Sequence, residues 1–329
     1  MAKQLRADEG GTPWCLQPEL VRGCSMRHGS GPGGLCHFCG ITAIREGPGN
    51  YEYMSLTTAE RIASQAADWC PKIRVEYAMR GEPLMHPKHL EIFKMFRKYL
   101  PEASIMVTTN GDTLRNRMQD AVEKIFETGL NFILLDTYYP KERRDQLREQ
   151  AWALKDVRVV DYFDEMMPAG ESPYARHNTW QRTIILMDDL SVRDGEHQSR
   201  LVKTHAGSNQ TKQIREPLHR NCGRPFREMT FTTEGNLTLC CDDWRMEYII
   251  GNVNTFTLEE LWKHPKMEAA RARLLQHDRN WGPCRECDAP SAPRSGLLPH
   301  YDPPTPEQIA LTESAYNHRK PIWLKPTKS

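Results

Sequence analysis

The chain has 329 residues, of which 39% are hydrophobic and 26% charged, and its formal net charge is +1. These values are typical of a globular protein with a sizeable core, and the near-neutral charge gives no general sign of a nucleic-acid partner. No apolar run approaches the roughly 18 residues that would cross a bilayer, and the first residues hold no apolar signal segment. We therefore expect a cytoplasmic protein that does not enter a membrane.

Strands and helices alternate along the first 190 residues. Apolar residues recur with period two in the predicted strands and at helical spacing in the predicted helices. In chain order, these patterns predict a strand at 17–22, a helix at 57–69, a strand at 72–79, a helix at 86–100, a strand at 103–111, a helix at 113–129, a strand at 130–138, a helix at 141–155, and strands at 157–163 and 182–189. Such α/β alternation predicts a parallel sheet covered by helices, either open or closed into a barrel.

The second half of the chain is patterned differently. Residues 191–220 are polar and irregular, which predicts a linker, and residues 227–241 predict a β-hairpin that turns at Glu234-Gly235-Asn236. A helix is predicted over 257–276. The proline-rich segment from about residue 288 predicts an extended tail on the surface.

Ten cysteines are many for a chain with no predicted export signal, and here they favour metal binding over disulfide bonds. Cys15 and Cys70 stand alone and are expected to be small buried side chains. The other eight form two groups, which are Cys24, Cys36 and Cys39 near the start, and Cys222, Cys240, Cys241, Cys284 and Cys287 near the end.

The first group contains three thiols and no fourth. Three thiolates on a four-iron cluster would leave one iron free to bind a substrate or cofactor, as the open position of a catalytic zinc site does. A zinc knuckle completed by His28 or His37 is the alternative. The second group offers four ligands and therefore a closed site, in which Cys240 is the expected ligand. Exchange with its neighbour Cys241 stays open.

Motifs after three predicted strands favour the iron–sulfur interpretation. Phe38 precedes the last cysteine of the first group, Arg80-Gly81-Glu82-Pro83 follows the second strand, and Asn110 follows the third. In this set the chain resembles radical S-adenosylmethionine (SAM) enzymes, which implies a partial (β/α)6 barrel of the TIM type. The family's usual three-residue gap between the first two cysteines is eleven residues here, and Arg80 stands where the family has a first glycine.

The resemblance implies functions for two sets of residues in this part of the chain. It places a 4Fe–4S cluster that cleaves SAM on Cys24, Cys36 and Cys39. It places SAM itself against Phe38, Gly81, Glu82, Pro83, Thr109 and Asn110.

The C-terminal part resembles the auxiliary-cluster domain called twitch, which is the short form of the SPASM domain. The resemblance rests on the second cysteine group and on the stretches Cys240-Cys241-Asp242-Asp243, Ile250-Gly251-Asn252-Val253 and Leu258-Glu259-Glu260-Leu261-Trp262. It implies an auxiliary 4Fe–4S cluster on Cys222, Cys240, Cys284 and Cys287, with a structural zinc ribbon as the alternative. The expected domains are an extension at 1–16, the partial barrel at 17–205, the auxiliary domain at 206–290 and a tail at 291–329.

The family resemblance implies an enzyme that reductively cleaves SAM to a 5′-deoxyadenosyl radical and removes a substrate hydrogen atom. We expect oxidation or rearrangement of an amino- or hydroxyl-bearing small molecule, with an electron donor such as flavodoxin or ferredoxin. The alternatives are an isomerase or modifying enzyme acting on a modified nucleoside or nucleic-acid base, a peptide maturase, and a non-catalytic zinc-binding adaptor of a different class.

Weaker candidates for the pocket come from the rest of the chain. His205, in the stretch His205-Ala206-Gly207-Ser208-Asn209, could transfer a proton. Asp136, Tyr138 and Arg182 lie near the ends of predicted strands. Basic residues in the middle of the chain would either serve a nucleic-acid partner or lie on solvated faces, and they are Arg143, Arg144, Arg148, Arg193, Arg200, Lys203, Lys212, Arg215, Arg220 and Arg224.

Overall fold

The structure is a computed structural model that describes residues 11–26, 36, 38–40, 51–136, 141–161, 180–187, 202–209, 212–289 and 302–315. Several features named above lie outside these ranges, namely most of the N-terminal extension, most of the glycine-rich insertion between the first two cysteines, His28, His37, Tyr138, Arg193 and Arg200.

Strands and helices alternate through the described part of the first half, as predicted. The strands are β1 (Cys15–Pro18), β2 (Val21–Arg22), β3 (Glu52–Tyr53), β4 (Arg74–Tyr77), β5 (Ile105–Thr109), β6 (Phe132–Asp136), β7 (Arg158–Asp161), β8 (Thr183–Met187), β9 (Glu228–Phe231), β10 (Asn236–Thr238) and β11 (Ile249–Asn252). The helices are α1 (Leu56–Trp69), α2 (His89–Tyr99), α3 (Met118–Phe126), α4 (Lys141–Trp152), α5 (Leu258–Trp262), α6 (Pro265–Leu275) and α7 (Pro306–Ala315). Among the described residues, no helix has the length and apolar character needed to span a membrane.

One large sheet organises the molecule. Its nine strands lie in the order β11-β10-β9-β1-β4-β5-β6-β8-β7. From β9 to β7, every pair of neighbouring strands in this order is parallel. At the other end of the sheet, β10 pairs antiparallel with β9, and β11 pairs antiparallel with β10. This open, mainly parallel sheet confirms the predicted α/β class and is consistent with a partial barrel. Strands β2 and β3 form a separate antiparallel pair.

Strand β9 joins the auxiliary part of the chain to the barrel. It pairs with β1 over four residues, from Cys15 opposite Glu228 to Pro18 opposite Phe231. The predicted hairpin at 227–241 is confirmed, with Gly235 at a left-handed φ of 84° in its turn. The segments that carry the two cysteine groups are therefore attached to one continuous sheet.

The last two barrel strands exchange places relative to their chain order. Strand β8, which the sequence predicts as the last, lies between β6 and β7, and its residues 183–186 are buried. Strand β7 takes the edge and begins with an exposed residue, Arg158. An apolar run such as that of β8 needs cover on both faces, whereas an edge strand tolerates polar residues.

The first helices cover the sheet and support the strands that carry the motifs. Helix α1 buries Ile62, and α2 buries Phe93 and Phe96. The ring of Tyr77, at the end of β4, lies with its centroid 4.7 Å from that of Phe93. Each such buried side chain contributes about 1.5–3 kcal/mol, so the loop that follows β4 starts from a rigid base.

Helix α1 begins differently from the prediction. The predicted range begins at residue 57, but the helix starts at Leu56 and its cap is Ser55. The Oγ of Ser55 accepts a hydrogen bond from the N–H of Thr58 at 3.0 Å. Serine is among the preferred residues at this position because its oxygen satisfies a free N–H of the first turn.

Replacing Ser55 with Ala should lower the free energy of unfolding by about 1 kcal/mol, because the N–H of Thr58 loses its acceptor. The matched control is Thr57→Ala, an exposed position inside the helix, which should change stability by less than about 0.5 kcal/mol. Urea denaturation of both variants measures the difference. If Thr57→Ala lowered the free energy of unfolding more than Ser55→Ala does, the cap would be Thr57.

The C-terminal helices differ from the prediction in two ways. The predicted helix at 257–276 is divided into α5 and α6, because Pro265 begins α6 and cannot sit inside a helix. The tail is not wholly extended, because residues 306–315 form α7. Its Thr312 is buried, and the Oγ accepts a hydrogen bond from Nη1 of Arg273 at 2.8 Å. The prolines around this short helix led to the prediction of an extended segment.

Candidate active site

The sequence motifs meet at one edge of the sheet. Glu82 follows β4, Asn110 follows β5, Asp136 ends β6, and Cys24 follows the short strand β2. Parallel strands bring their carboxyl ends to the same edge of a sheet, where catalytic groups gather in barrels of this type. In the structure these four side chains line one cavity.

Glu82 is the polar centre of this edge and is only 2% exposed. Its carboxylate accepts hydrogen bonds from the Oγ1 of Thr109 at 2.7 Å, the N–H of Asn110 at 2.8 Å and the N–H of Leu84 at 3.1 Å. Burial raises the pKa of Glu82 to about 7, and the three donors oppose that rise. A carboxylate held this firmly is pre-positioned to accept a hydrogen bond from an amino group.

The family resemblance places SAM against Glu82, and on that expectation replacing Glu82 with Gln should weaken SAM binding by about ten- to a hundredfold. The amide has the size of the carboxylate but presents a donor to one of the three donors that now point at it, and it removes the negative charge. The exposed Glu91→Gln is the control, and it should bind SAM as the parent does. Calorimetric titration of the anaerobically reconstituted protein measures the affinity, and parental affinity in Glu82→Gln would remove this carboxylate from the SAM site.

Gly81 allows two loops of the site to touch. A Cβ at this position would lie 1.8 Å from the carbonyl oxygen of Val21, which no side chain permits. The neighbouring N–H of Glu82 donates to the carbonyl of Gly23 at 3.0 Å. The loop that carries Cys24 is thereby tied to the loop after β4, so the two motifs form one unit.

All three cysteines of the first group line the same cavity. The N–H of Cys39 donates to the carbonyl of Cys36 at 3.1 Å, and the Sγ of Cys24 accepts from Nδ2 of Asn110 at 3.4 Å. Burial raises the pKa of the Cys24 thiol to about 12, and the nearby Glu82 carboxylate adds to the rise. Three thiols that line one cavity, with an amide donor aimed at one sulfur, have the donor chemistry of an iron-cluster site, because metal ligation holds such sulfurs deprotonated.

His205 reaches this cavity from the segment 202–209. Three consecutive residues of this segment, His205 to Gly207, have left-handed φ values of 45°, 48° and 80°. These values fold the segment into a tight loop. The imidazole stacks on Trp244 with centroids 4.2 Å apart, and its Nδ1 accepts from the N–H of Gly40 at 3.3 Å. Burial lowers the pKa of His205. His205 lines the cavity, whereas its function as a proton-transfer group stays a prediction.

The second cysteine group converges around Cys284 and Cys287. With Cys222 and Cys240, both residues are buried. Burial raises the pKa of Cys284, and the thiols of Cys287 and Cys222 add to the rise. The N–H of Ala289 donates to the Sγ of Cys287 at 3.4 Å. Four buried thiols have the donor chemistry of a closed cluster site. Among the described residues, however, no three His, Cys, Asp or Glu side chains are grouped tightly enough to hold a single metal ion, and the ligand assignment stays a prediction.

Cys241 has different surroundings from its neighbour. Its Sγ accepts a hydrogen bond from Nη1 of Arg224 at 2.6 Å and lies 3.5 Å from Oε1 of Glu228. Burial raises the pKa of Cys240, and Cys287 is among the groups that raise it further. These contacts support the expectation that Cys240 belongs to the closed site and Cys241 does not.

Two cavities open from this edge of the sheet and share one wall. The first has a volume of about 190 Å³ and contains the three cysteines, Phe38, Glu82 and Asn110. The second has a volume of about 700 Å³ and extends to Cys241 and Asp242. The residues common to both are Ala78, Met79, Thr108, Asp136, Lys203, His205 and Trp244.

Charged side chains of both signs line the second cavity. They are Arg74, Lys203, Arg224 and Arg227 on the positive side, and Glu76, Asp136, Glu228 and Asp242 on the negative side. Arg74 pairs with Glu76 at 3.1 Å, and Arg224 pairs with Glu228 at 3.0 Å and with Asp242 at 2.9 Å.

Sequence reasoning identified only part of this second cavity. It named Asp136, Lys203, His205 and Arg224, and Asp242 only as part of the auxiliary-domain motif, but missed Arg74, Glu76, Arg227, Glu228 and Trp244. The signal for two of these was available, because Arg74 and Glu76 alternate with apolar residues inside β4. Cys15 is buried as expected, but it also lines this cavity, with its Sγ 3.8 Å from Oε2 of Glu76.

Other candidate residues lie elsewhere. Arg182 lines neither cavity, because two of its guanidinium nitrogens are held by Glu123, at 3.2 and 2.7 Å. Pro83 begins the short 3-10 turn Pro83–Met85 beside the first cavity. Of the basic residues that the sequence singled out and the structure describes, only Lys203 and Arg224 line these cavities.

Two family models match the chain. The radical SAM superfamily matches residues 19–170, and the SPASM iron–sulfur cluster-binding domain matches residues 222–288. The S-adenosyl-L-methionine-dependent 2-deoxy-scyllo-inosamine dehydrogenase of Niallia circulans is 20% identical over 217 residues, which cover 65% of this chain and 72% of that protein.

Two solved structures share the fold. The crystal structure of BtrN in complex with AdoMet and 2-DOIA has a TM-score of 0.61 and 17% identity, and the match covers 87% of this chain and 97% of that one. Selenomethionine BtrN in an open conformation has a TM-score of 0.52 and 15% identity, with 88% and 94% covered. The chain therefore carries a radical SAM domain over residues 19–170 and a SPASM domain over residues 222–288, and these two domains identify it as an enzyme that uses SAM and 4Fe–4S clusters.

Proposed function

We propose that this enzyme oxidises an amino- or hydroxyl-bearing small molecule held between two iron–sulfur clusters. Cys24, Cys36 and Cys39 would hold the cluster that binds SAM. Cys222, Cys240, Cys284 and Cys287 would hold the auxiliary cluster. SAM would lie against Phe38, Gly81, Glu82, Pro83, Thr109 and Asn110.

The observation that carries the proposal is the shared wall of the two cavities. The first cavity contains the three-cysteine group and Glu82, and the second continues from it toward Asp242, which lies two residues from Cys240. A molecule in the second cavity would therefore have one side toward SAM and the other toward the auxiliary cysteines. This placement suits removal of a hydrogen atom on one side and of an electron on the other.

The lining of the second cavity favours a small polar substrate over a polyanion. Its four cationic side chains are matched by four carboxylates, whereas a nucleic-acid groove would carry an excess of positive charge. Carboxylates and guanidinium groups together can bind hydroxyl and amino groups in fixed directions. The dehydrogenase from Niallia circulans, whose name specifies an inosamine, supports the same class of substrate.

The chain's own residues would orient the substrate, exclude water and accept a proton. When bound, the cluster and SAM supply the 5′-deoxyadenosyl radical that removes the hydrogen atom from carbon. Oxidation of a carbinol to a ketone then requires loss of the hydroxyl proton and of one electron. Asp136, in the wall between the cavities, is a carboxylate placed to take the proton, and the auxiliary cluster would take the electron before it passes to a flavodoxin or ferredoxin.

Transfer of deuterium tests this proposal. Anaerobically reconstituted enzyme would be given SAM, a reductant and substrates deuterated at their carbinol carbons, namely 2-deoxy-scyllo-inosamine, other aminocyclitols, amino sugars, nucleosides and a short oligonucleotide. We expect deuterium in 5′-deoxyadenosine from an aminocyclitol or amino sugar, with about one ketone per SAM consumed. Deuterium transfer only from the nucleoside or oligonucleotide, or product isomerised without a ketone, would contradict it.

A further inference from the structure

Arg80 occupies the position at which the family motif has its first glycine, and it is wholly buried. Its side chain is 0% exposed and that of Glu19 is 1% exposed. Nε of Arg80 donates to Oε1 of Glu19 at 2.7 Å, and Nη2 donates to Oε2 at 2.5 Å. This paired geometry joins the loop after β4 to the loop after β1 and leaves one guanidinium nitrogen for a further partner.

That further partner lies in the auxiliary part of the chain. Nη1 of Arg80 donates to the main-chain carbonyl of Trp244 at 3.1 Å. Trp244 follows the Cys240-Cys241 pair, and its ring forms part of the wall that both cavities share. Arg80 therefore links the SAM motif directly to the segment next to a predicted auxiliary ligand.

The same tryptophan completes a closed set of contacts around the first cavity. Its ring stacks on His205 with an angle of 3° between the planes, and His205 accepts from the N–H of Gly40, the residue after Cys39. The contacts run from the Glu82 loop through Arg80, Trp244 and His205 back to the cysteine loop. Loss of any one of these contacts would remove a restraint on the wall that the two cavities share.

The backbone beside Arg80 is also held under strain. Met79 has a φ of 95°, in the left-handed region that non-glycine residues rarely adopt, and its side chain lines both cavities. Such strain persists only where surrounding contacts fix the chain. The buried ion pair of Arg80 with Glu19 supplies such a contact at the next residue.

From these contacts, and resting on the proposed function of the two cysteine groups, we propose that Arg80 is a positioning residue. It sets the segment 242–246 of the auxiliary part, with Trp244 and His205, at a fixed place against the SAM motif, so that substrate is held at a constant distance from both clusters. Arg80, which stands where the family motif has a glycine, thus connects the SAM motif to the auxiliary part through hydrogen bonds that a glycine could not make. We call these contacts of Arg80 with Glu19 and Trp244 the clamp.

Hydrogen exchange of the reconstituted holoenzyme tests this proposal with the variant Arg80→Lys. Lysine keeps the charge beside Glu19 but cannot make the paired contact and reach Trp244 as well. We expect amide exchange in peptides covering 202–209 and 242–246 to become about tenfold faster, with helices α1 and α2 unchanged. Glu19→Gln, which weakens the same clamp from the other side, should show the same pattern.

Arg271→Lys is the matched control. Arg271 is also buried, and it donates to the main-chain carbonyls of Pro225 and Trp262, neither of which lines either cavity. Its loss should affect exchange near those residues and leave 202–209 unchanged. Uniformly faster exchange in Arg80→Lys, or unchanged exchange at 202–209 and 242–246, would overturn the proposal.

An electron paramagnetic resonance spectrum of the fully reduced protein adds a second readout. The magnetic interaction between two reduced clusters depends on their separation, so Arg80→Lys should broaden or shift it while the iron content stays at the parental value. Arg271→Lys should leave it unchanged. Failure to bind iron at either group would refute the proposed function, whereas the exchange pattern would still decide whether Arg80 positions the wall.

Discussion

Cys36→Ser should abolish the formation of 5′-deoxyadenosine from SAM, with a loss of more than about a thousandfold. Three thiolates hold the proposed cluster, and removal of one leaves too few ligands to retain it while keeping an iron for SAM. Iron should fall from about eight to about four per chain, because the auxiliary group is untouched. Chromatography of the nucleoside product and a colorimetric iron assay measure both values.

The control for this variant is Cys70→Ala. Cys70 is buried in the main core and lines neither cavity, so its loss should reduce stability but leave about eight irons and SAM cleavage intact. If Cys36→Ser retained cleavage activity, the C-x11-C-x2-C group would not be the catalytic site. If the parent bound zinc at these thiols instead, the zinc-knuckle alternative would be correct.

The second large effect is expected for the double variant Cys284→Ser, Cys287→Ser. Both thiols are buried, and serine is a poor ligand for iron, so the chain should lose about four irons. SAM cleavage should persist, because the first cavity contains neither residue. Oxidation of substrate to ketone should fall by more than about a hundredfold, since no auxiliary cluster remains to accept the electron.

Cys241→Ser separates the two possible ligands at the end of the hairpin. It should retain about eight irons, whereas Cys240→Ser should retain about four. The reverse result would assign the ligand to Cys241 and would require its contact with Arg224 to break. A double variant at 284 and 287 that loses no iron would show that the closed site is formed by other residues.

Local patterns in the sequence were sufficient for the parts of the site that lie directly after strands. Cys24, Glu82 and Asn110 each follow a strand with a recognisable period, and parallel topology places strand ends together whatever the details of packing. The hairpin turn at Gly235 was equally local, because a left-handed φ favours glycine there.

Features that depend on contacts between distant segments were not predictable in the same way. The pairing of β1 with β9 joins residues more than two hundred positions apart, and nothing in either strand specifies the other. The hydrogen bond from Arg80 to the carbonyl of Trp244 also joins segments that are far apart in the chain. The spatial order of β7 and β8 likewise depends on which of the two strands is buried on both faces of the sheet.

The most direct test of the account is the iron content and SAM chemistry of the parent chain, purified and reconstituted without oxygen. We predict about eight irons per chain, a change in the resonance spectrum of one reduced cluster when SAM is added, and 5′-deoxyadenosine when a strong reductant follows. About four irons, no spectral response to SAM and no 5′-deoxyadenosine would contradict the assignment of Cys24, Cys36 and Cys39 as the catalytic cluster site.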